Sequence, residues 1–184
     1  MPKSKIIILS GPSGVGKKTV REKLDYDALN LVNSVSWTTR APREEDEEGV
    51  TYHFATPEEF AAMVDAGGFA EHEGYTENAY GTPQKPLDDW QKEGKNVMVE
   101  IEVKGAAELM KKYPDAVTIF LVPPTMDDLK KRLYNRKSES EEKIAKRLKK
   151  AESEMPCRCN YQHVVVNDDP QRAADEIANI IAEA

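Results

Sequence analysis

The chain has 184 residues, 39% of them hydrophobic and 32% charged, with a formal net charge of −7. That length suits one compact domain with room for an insertion. The acidic balance argues against sequence-independent duplex binding, which needs a basic surface, yet allows a local basic pocket for phosphate. No apolar run approaches the roughly 20 residues that span a bilayer. The apolar stretch after Lys5 is too short for a signal-peptide core. Two cysteines cannot build a disulfide scaffold. The expectation is a soluble, reduced, cytoplasmic protein, monomer or homodimer, with no nucleic-acid or membrane partner.

Ile6-Ile7-Ile8-Leu9 reads as a strand buried on both faces. The glycine-rich turn Gly11 to Gly16 follows, then a helix from about Lys17 to Leu24. Strand, turn and helix in that order open a βαβ unit. A strand-like run lies near Leu31 to Val35, and the charged stretch Thr38 to Gly49 reads as a loop. Thr56-Pro57-Glu58-Glu59 predicts a capped helix start, with the helix ending near Gly67-Gly68. Short mixed segments fill Phe69 to Thr82, and a helix over Pro86 to Lys92 stops at Gly94. Val97 to Ile101 is a buried-type strand, Val103 to Lys112 a helix, and Val117 to Val122 a third such strand. Thr125 caps a helix to about Arg136, and a polar stretch from Lys137 leads into a charged helix ending near Glu154. Val164 to Val166 is the last strand, and Pro170 opens the terminal helix. Strands alternating with helices predict an α/β fold with a parallel sheet, interrupted by an inserted subdomain over about 36–96.

Gly11-Pro12-Ser13-Gly14-Val15-Gly16-Lys17 matches the core of a phosphate loop, between strand and helix as that motif requires. Glycines let backbone N–H groups close on phosphate oxygens, and Lys17 can reach the β- and γ-phosphates. The strict motif continues with Ser or Thr, whose hydroxyl sits on Mg²⁺. Here Lys18 stands in that place, with Thr19 after it, and brings positive charge towards the metal. Arg40 and Arg43, three apart beside hydroxyl residues, can clamp an oxyanion. Alone they read as surface arginines neutralising the acidic run Glu44 to Glu48, itself read as a solvated loop. Glu71 alone reads as a surface carboxylate. Glu100 and Glu102 alternate along a strand end, where an open α/β sheet binds ligand.

In this order and spacing the motifs resemble the guanylate kinase family over almost the whole chain. The resemblance implies a P-loop NTPase fold: a central parallel sheet flanked by helices, a mixed α+β GMP-binding insertion and a small lid. The implied division is a core of 1–35, 97–136 and 146–184, an insertion of 36–96 and a lid of 137–145. It implies transfer of the γ-phosphate of ATP to GMP, or dGMP, with Mg²⁺. ATP binding is carried to Gly11, Pro12, Ser13, Gly14, Val15, Gly16, Lys17, Lys18, Thr19 and Asn167. GMP phosphate binding goes to Arg40, Arg43, Tyr52 and Tyr80, joined by Ser36. Guanine reading goes to Glu71 and Thr82, with help from Glu100. A carboxylate accepts from the N1–H and 2-amino group of guanine, a donor pair that adenine lacks. Lys17, Arg132, Arg136 and Arg147 are implied catalytic cations, and Glu102 organises the metal through water.

The sequence departs from the family at Lys18, at Glu102 where Asp is usual, and at Lys104 where Gln is usual. Ala79 stands where a second tyrosine is common. Lys146, Lys149 and Lys150 read as solvent-facing helix charges. Cys157, Cys159 and His163 give three ligand types with tight spacing and no fourth, so reduced thiols are expected rather than zinc. Two rivals follow: a catalytically impaired module that binds nucleotide or phosphopeptide, and a kinase for another small phosphate ester.

Overall fold

A computed structural model describes residues 4–74, 77–135 and 140–184. Its strands are β1 (Ile6–Ser10), β2 (Leu31–Asn33), β3 (Trp37–Thr38), β4 (His53–Phe54), β5 (Phe69–Gly74), β6 (Ala79–Pro83), β7 (Asn96–Glu100), β8 (Val117–Val122) and β9 (His163–Val166). Its α-helices are α1 (Lys17–Arg21), α2 (Pro57–Asp65), α3 (Gln84–Lys92), α4 (Val103–Lys112), α5 (Met126–Asn135), α6 (Glu141–Glu154) and α7 (Pro170–Glu183). Arg136 and the lid positions 137–139 lie outside the described residues.

Every residue of β1 is buried, as its run of branched side chains predicts. Successive side chains of a strand point to opposite faces. Ile7 and Leu9 accordingly pack with Val20 of α1 and Ile177 of α7. Ile6 and Ile8 pack with Leu87 of α3 and Leu109 of α4. Two apolar layers therefore enclose one sheet, each fully buried large side chain contributing about 1.5–3 kcal/mol over exposure. The sheet is parallel throughout, in the order β2-β7-β1-β8-β9. With β1 central and its sequence neighbour β2 at an edge, a crevice opens beyond the strand C-termini. The phosphate loop, Glu100 and Glu102 all lie at that end.

A second, mixed sheet runs β4-β3-β6-β5. In it β3 and β4 are parallel, while β3–β6 and β5–β6 are antiparallel. Phe60 of α2 stacks on Phe69 of β5, with ring centroids 4.6 Å apart. The predicted cap of α2 is present: Thr56 Oγ1 accepts from the Glu59 N–H, and the Glu59 carboxylate accepts from the Thr56 N–H. Two local expectations change. Helix α1 ends at Arg21, because the Lys23 and Leu24 N–H groups bond three residues back and tighten the chain into turns. Phe69–Gly74 and Ala79–Pro83 form an antiparallel strand pair where short mixed pieces are expected.

Candidate functional site

The phosphate loop follows β1 directly. Gly11 has φ +148°, and a Cβ there would overlap the Leu121 carbonyl, so only glycine fits. Gly16 has φ +97°, and a Cβ would lie 2.7 Å from Asn167 Nδ2. Asn167 is buried beneath the loop and donates from Nδ2 to the Val15 carbonyl at 2.8 Å. Arg132 donates to the same carbonyl at 3.3 Å and to the Asn167 carbonyl at 2.7 Å. These two residues buttress the loop from behind. The Lys17 ammonium donates to the Gly11 carbonyl at 2.7 Å, curling back over its own loop. Desolvation lowers its pKa, while Glu100 and Glu102 pull it back up. Lys18 turns to solvent, with Glu22 at 3.8 Å, and Thr19 is also exposed.

Opposite the loop stands a cavity of about 630 Å³. Its lining includes Ser36, Arg40, Arg43, Tyr52, Glu71, Tyr80, Glu100, Glu102 and Arg147, all named from sequence. The mixed sheet supplies one wall. Strand β3 is joined to β6 through hydroxyls: Thr38 Oγ1 donates to the Ala79 carbonyl at 3.0 Å, and Thr39 Oγ1 accepts from the Ala79 N–H at 2.8 Å. This fixes the start of the arginine loop. The Arg40 guanidinium lies 5.3 Å from the Tyr52 ring centroid and pairs with Asp46 at 2.8 Å. Asp46 also accepts from the Arg43 N–H at 2.8 Å. Its side chain is only 4% exposed, so this member of the acidic run is an anchor and not a solvated charge. Desolvation would raise the Asp46 pKa, but the Arg43 N–H and the Arg40 side chain hold it below its ordinary value. The Tyr52 and Tyr80 rings meet edge-on at 5.9 Å. Burial, with Tyr80 and Glu100 nearby, pushes the Tyr52 phenol up to about 12, so it stays protonated at neutral pH.

Glu71 is a buried acid of the cavity. Thr82 Oγ1 donates to its Oε1 at 2.6 Å across the β5–β6 ladder. A Cβ on Gly105 of α4 would lie 2.8 Å from its Oε2, so glycine makes room for the carboxylate. Burial raises the Glu71 pKa; the Thr82 hydroxyl opposes that rise and Glu73 adds to it. Glu100, at the end of β7, accepts from Arg21 Nε at 2.7 Å. Glu102 accepts from Lys150 at 2.5 Å, and Lys150 lies 3.7 Å from Glu154. Desolvation works against ionised Glu102, yet Lys150, Lys17 and Arg147 together hold its pKa down. Burial raises the Glu154 pKa, and the Lys150 ammonium opposes that rise.

Sequence reasoning missed four residues here. Lys150 reads in the sequence as a solvent-facing charge, but it bonds Glu102 on the cavity wall. Arg21 carries a signal in hindsight, standing four residues after Lys17 on the same short helix. Asp46 is hidden in a charged run without periodicity, and Glu73 stands at an inward strand position where an apolar residue is expected. Among the described residues, no group of three or more His, Cys, Asp or Glu side chains could hold a metal ion, and Cys157 and Cys159 are free thiols. Also among them, no helix is long and apolar enough to cross a membrane.

A family model described as "Guanylate kinase" matches residues 3–184. The chain is 44% identical over 184 residues to the guanylate kinase of Malacoplasma penetrans, covering 98% of this chain and 94% of that one. It is 45% identical over 180 residues to the guanylate kinase of Mesoplasma florum, covering 97% of this chain but only 61% of that longer relative. A crystal structure of guanylate kinase from Anaplasma phagocytophilum superposes with a TM-score of 0.80 at 34% identity, covering 98% of this chain and 85% of that one. A phosphate loop on a parallel sheet, a cavity opposite it lined by tyrosines, arginines and carboxylates, and matches of this extent agree on one conclusion: the chain belongs to the guanylate kinase family.

Proposed function

We propose that the protein transfers the γ-phosphate of MgATP to GMP, giving ADP and GDP. The observation that carries this reading is the buried Glu71–Thr82 pair facing a cavity that also holds Arg40, Arg43 and Tyr80. A buried carboxylate is costly unless a partner repays it. The guanine N1–H and 2-amino group are such partners. Thr82 occupies one lone pair of Oε1 and leaves the outer edge of the carboxylate for the base.

The phosphate of GMP is assigned to Arg40, Arg43, Tyr52 and Tyr80, with Ser36 beside them. Protonated tyrosines donate to phosphate oxygens, and guanidinium groups bind them bidentately. The ATP phosphates are assigned to the backbone N–H groups of Gly11 to Lys17. Lys17 would exchange the Gly11 carbonyl for a phosphate oxygen. One oxygen of the GMP phosphate attacks the γ-phosphorus in line, and the bond from that phosphorus to the bridging oxygen of ADP breaks. No covalent enzyme intermediate is needed. The residues contribute alignment and positive charge, through Lys17 and Arg147, to a reaction that needs little else. Arg136 is assigned to the same task by its place in the sequence. Arg132 and Asn167 serve the ATP side by holding the loop in shape.

Glu102, kept ionised by Lys150, Lys17 and Arg147, would hold Mg²⁺ through water, and the ion would supply positive charge to the transferring phosphoryl group. Lys18, exposed beside Glu22, leaves that space open. Residues 36–96 act as the GMP-binding insertion and 137–145 as the lid in this account, closing on both substrates to exclude water.

Calorimetric titration tests the site assignment. GMP is expected to bind and AMP to bind at least tenfold more weakly. Asp46→Asn is expected to weaken GMP binding by about five- to tenfold, since Arg40 loses the charge that orients it while the fold persists. Equal binding of GMP and AMP would contradict the guanine assignment.

A further inference from the structure

Glu73 is a buried side chain of the cavity that the proposed reaction leaves without a task. It follows Glu71 by two residues on β5, so both carboxylates leave the same face of the strand. Glu73 is 8% exposed and lines the same cavity. In the β5–β6 ladder Glu71 stands opposite Thr82, and Glu73 stands opposite Tyr80. These two rungs carry different parts of the acceptor. The Glu71–Thr82 rung is assigned to the base, and Tyr80 to the phosphate. Glu73 lies about 6.5–7 Å along the strand from the base-reading carboxylate, towards the phosphate side.

In a nucleoside monophosphate the sugar lies between base and phosphate. Its polar edge is a pair of hydroxyl donors, and an ionised carboxylate offers acceptors only. Carboxylates bind ribose hydroxyls elsewhere in nucleotide-binding α/β proteins for that reason. A negative charge so close to a phosphate needs screening. Lys104 Nζ, on α4, lies 3.7 Å from Glu73 Oε1. Lys104 is largely exposed, so its long side chain can shift with the substrate while remaining near Glu73. This pairing gives Lys104 a role in the acceptor pocket.

We propose that Glu73 is a specificity-determining residue that accepts a hydrogen bond from the ribose 2′-hydroxyl of the acceptor, with Lys104 screening its charge from the phosphate. The inference rests on the GMP reading above and adds sugar recognition to it. It predicts that dGMP is accepted, but less well than GMP.

The experiment compares GMP, dGMP and inosine monophosphate at saturating MgATP, in the wild type, Glu73→Gln and Glu73→Ala. Inosine monophosphate keeps the sugar and lacks the 2-amino group. The wild type should favour GMP over dGMP by about tenfold in KM, the effect of one hydrogen bond to a charged group. Glu73→Ala should raise the KM for GMP and for inosine monophosphate more than that for dGMP, bringing GMP and dGMP within about twofold of each other. Glu73→Gln, whose amide oxygen still accepts, should keep part of the preference. Three results would overturn the proposal. They are no GMP preference in the wild type, an equal rise in KM for all acceptors, or a change confined to the inosine monophosphate ratio. Calorimetric affinities for the same ligands carry the identical test if phosphoryl transfer is absent, so failure of the kinase reading is recorded separately.

Discussion

Glu71→Gln is expected to lower kcat/KM for GMP by about a hundredfold or more, with a much smaller effect on the weak reaction with AMP. The two side chains have nearly the same shape, so the change isolates chemistry. In the wild type, Thr82 donates to Oε1 and Gly105 leaves space at Oε2. An ionised carboxylate there accepts from both guanine donors. An amide can accept with its oxygen only, and its NH₂ then opposes a guanine N–H, donor against donor. A pH series gives the same assignment a second readout. Burial raises the Glu71 pKa in the free protein. Guanine N–H donors favour the ionised form, so GMP binding should weaken as pH falls through that raised pKa. The wild type should show this acid-side loss and Glu71→Gln should not. A variant within threefold of wild type towards GMP would remove Glu71 from base recognition.

Lys17→Met should lower kcat by about a thousandfold or more, with a smaller effect on the GMP KM. The ammonium sits at the mouth of the loop, partly desolvated and within the fields of Glu100 and Glu102. A charge in such surroundings stabilises a phosphoryl group far more than the same charge in water. In the free protein that ammonium donates to the Gly11 carbonyl. Losing one such partly exposed bond should cost only about 1 kcal/mol of stability. Thermal unfolding should therefore change little while turnover nearly vanishes. A kcat within tenfold of wild type would show that Lys17 does not act on the transferring group.

Much of the fold was legible because its signals are local. The branched runs of β1, β7 and β8 mark strands buried on both faces, and Thr56-Pro57-Glu58-Glu59 marks a helix start through capping chemistry alone. The β5–β6 pair was not legible, for an instructive reason. Its inward positions alternate correctly, but two of them carry Glu71 and Glu73. A pattern search for apolar alternation reads those carboxylates as outward, so the strand disappears where it carries the site. The phosphate loop was legible as a motif. The tasks of Arg132 and Asn167 as buttresses were not, since each meets the loop from more than a hundred residues away. Asp46 was lost for the opposite reason. Four glutamates surround it in sequence, and only the fold distinguishes the buried acid from its exposed neighbours. Lys150 likewise looks like any charge on an exposed helix until Glu102 is brought to it.

Initial-rate measurement of ADP release with MgATP, comparing GMP, AMP and no added acceptor, tests the central claim most directly. Rapid ADP formation that requires GMP, yields GDP in equal amount and is weak with AMP is the predicted result. Binding of GMP with no acceptor-dependent ADP release would contradict phosphoryl transfer and leave a nucleotide-binding module of the same fold.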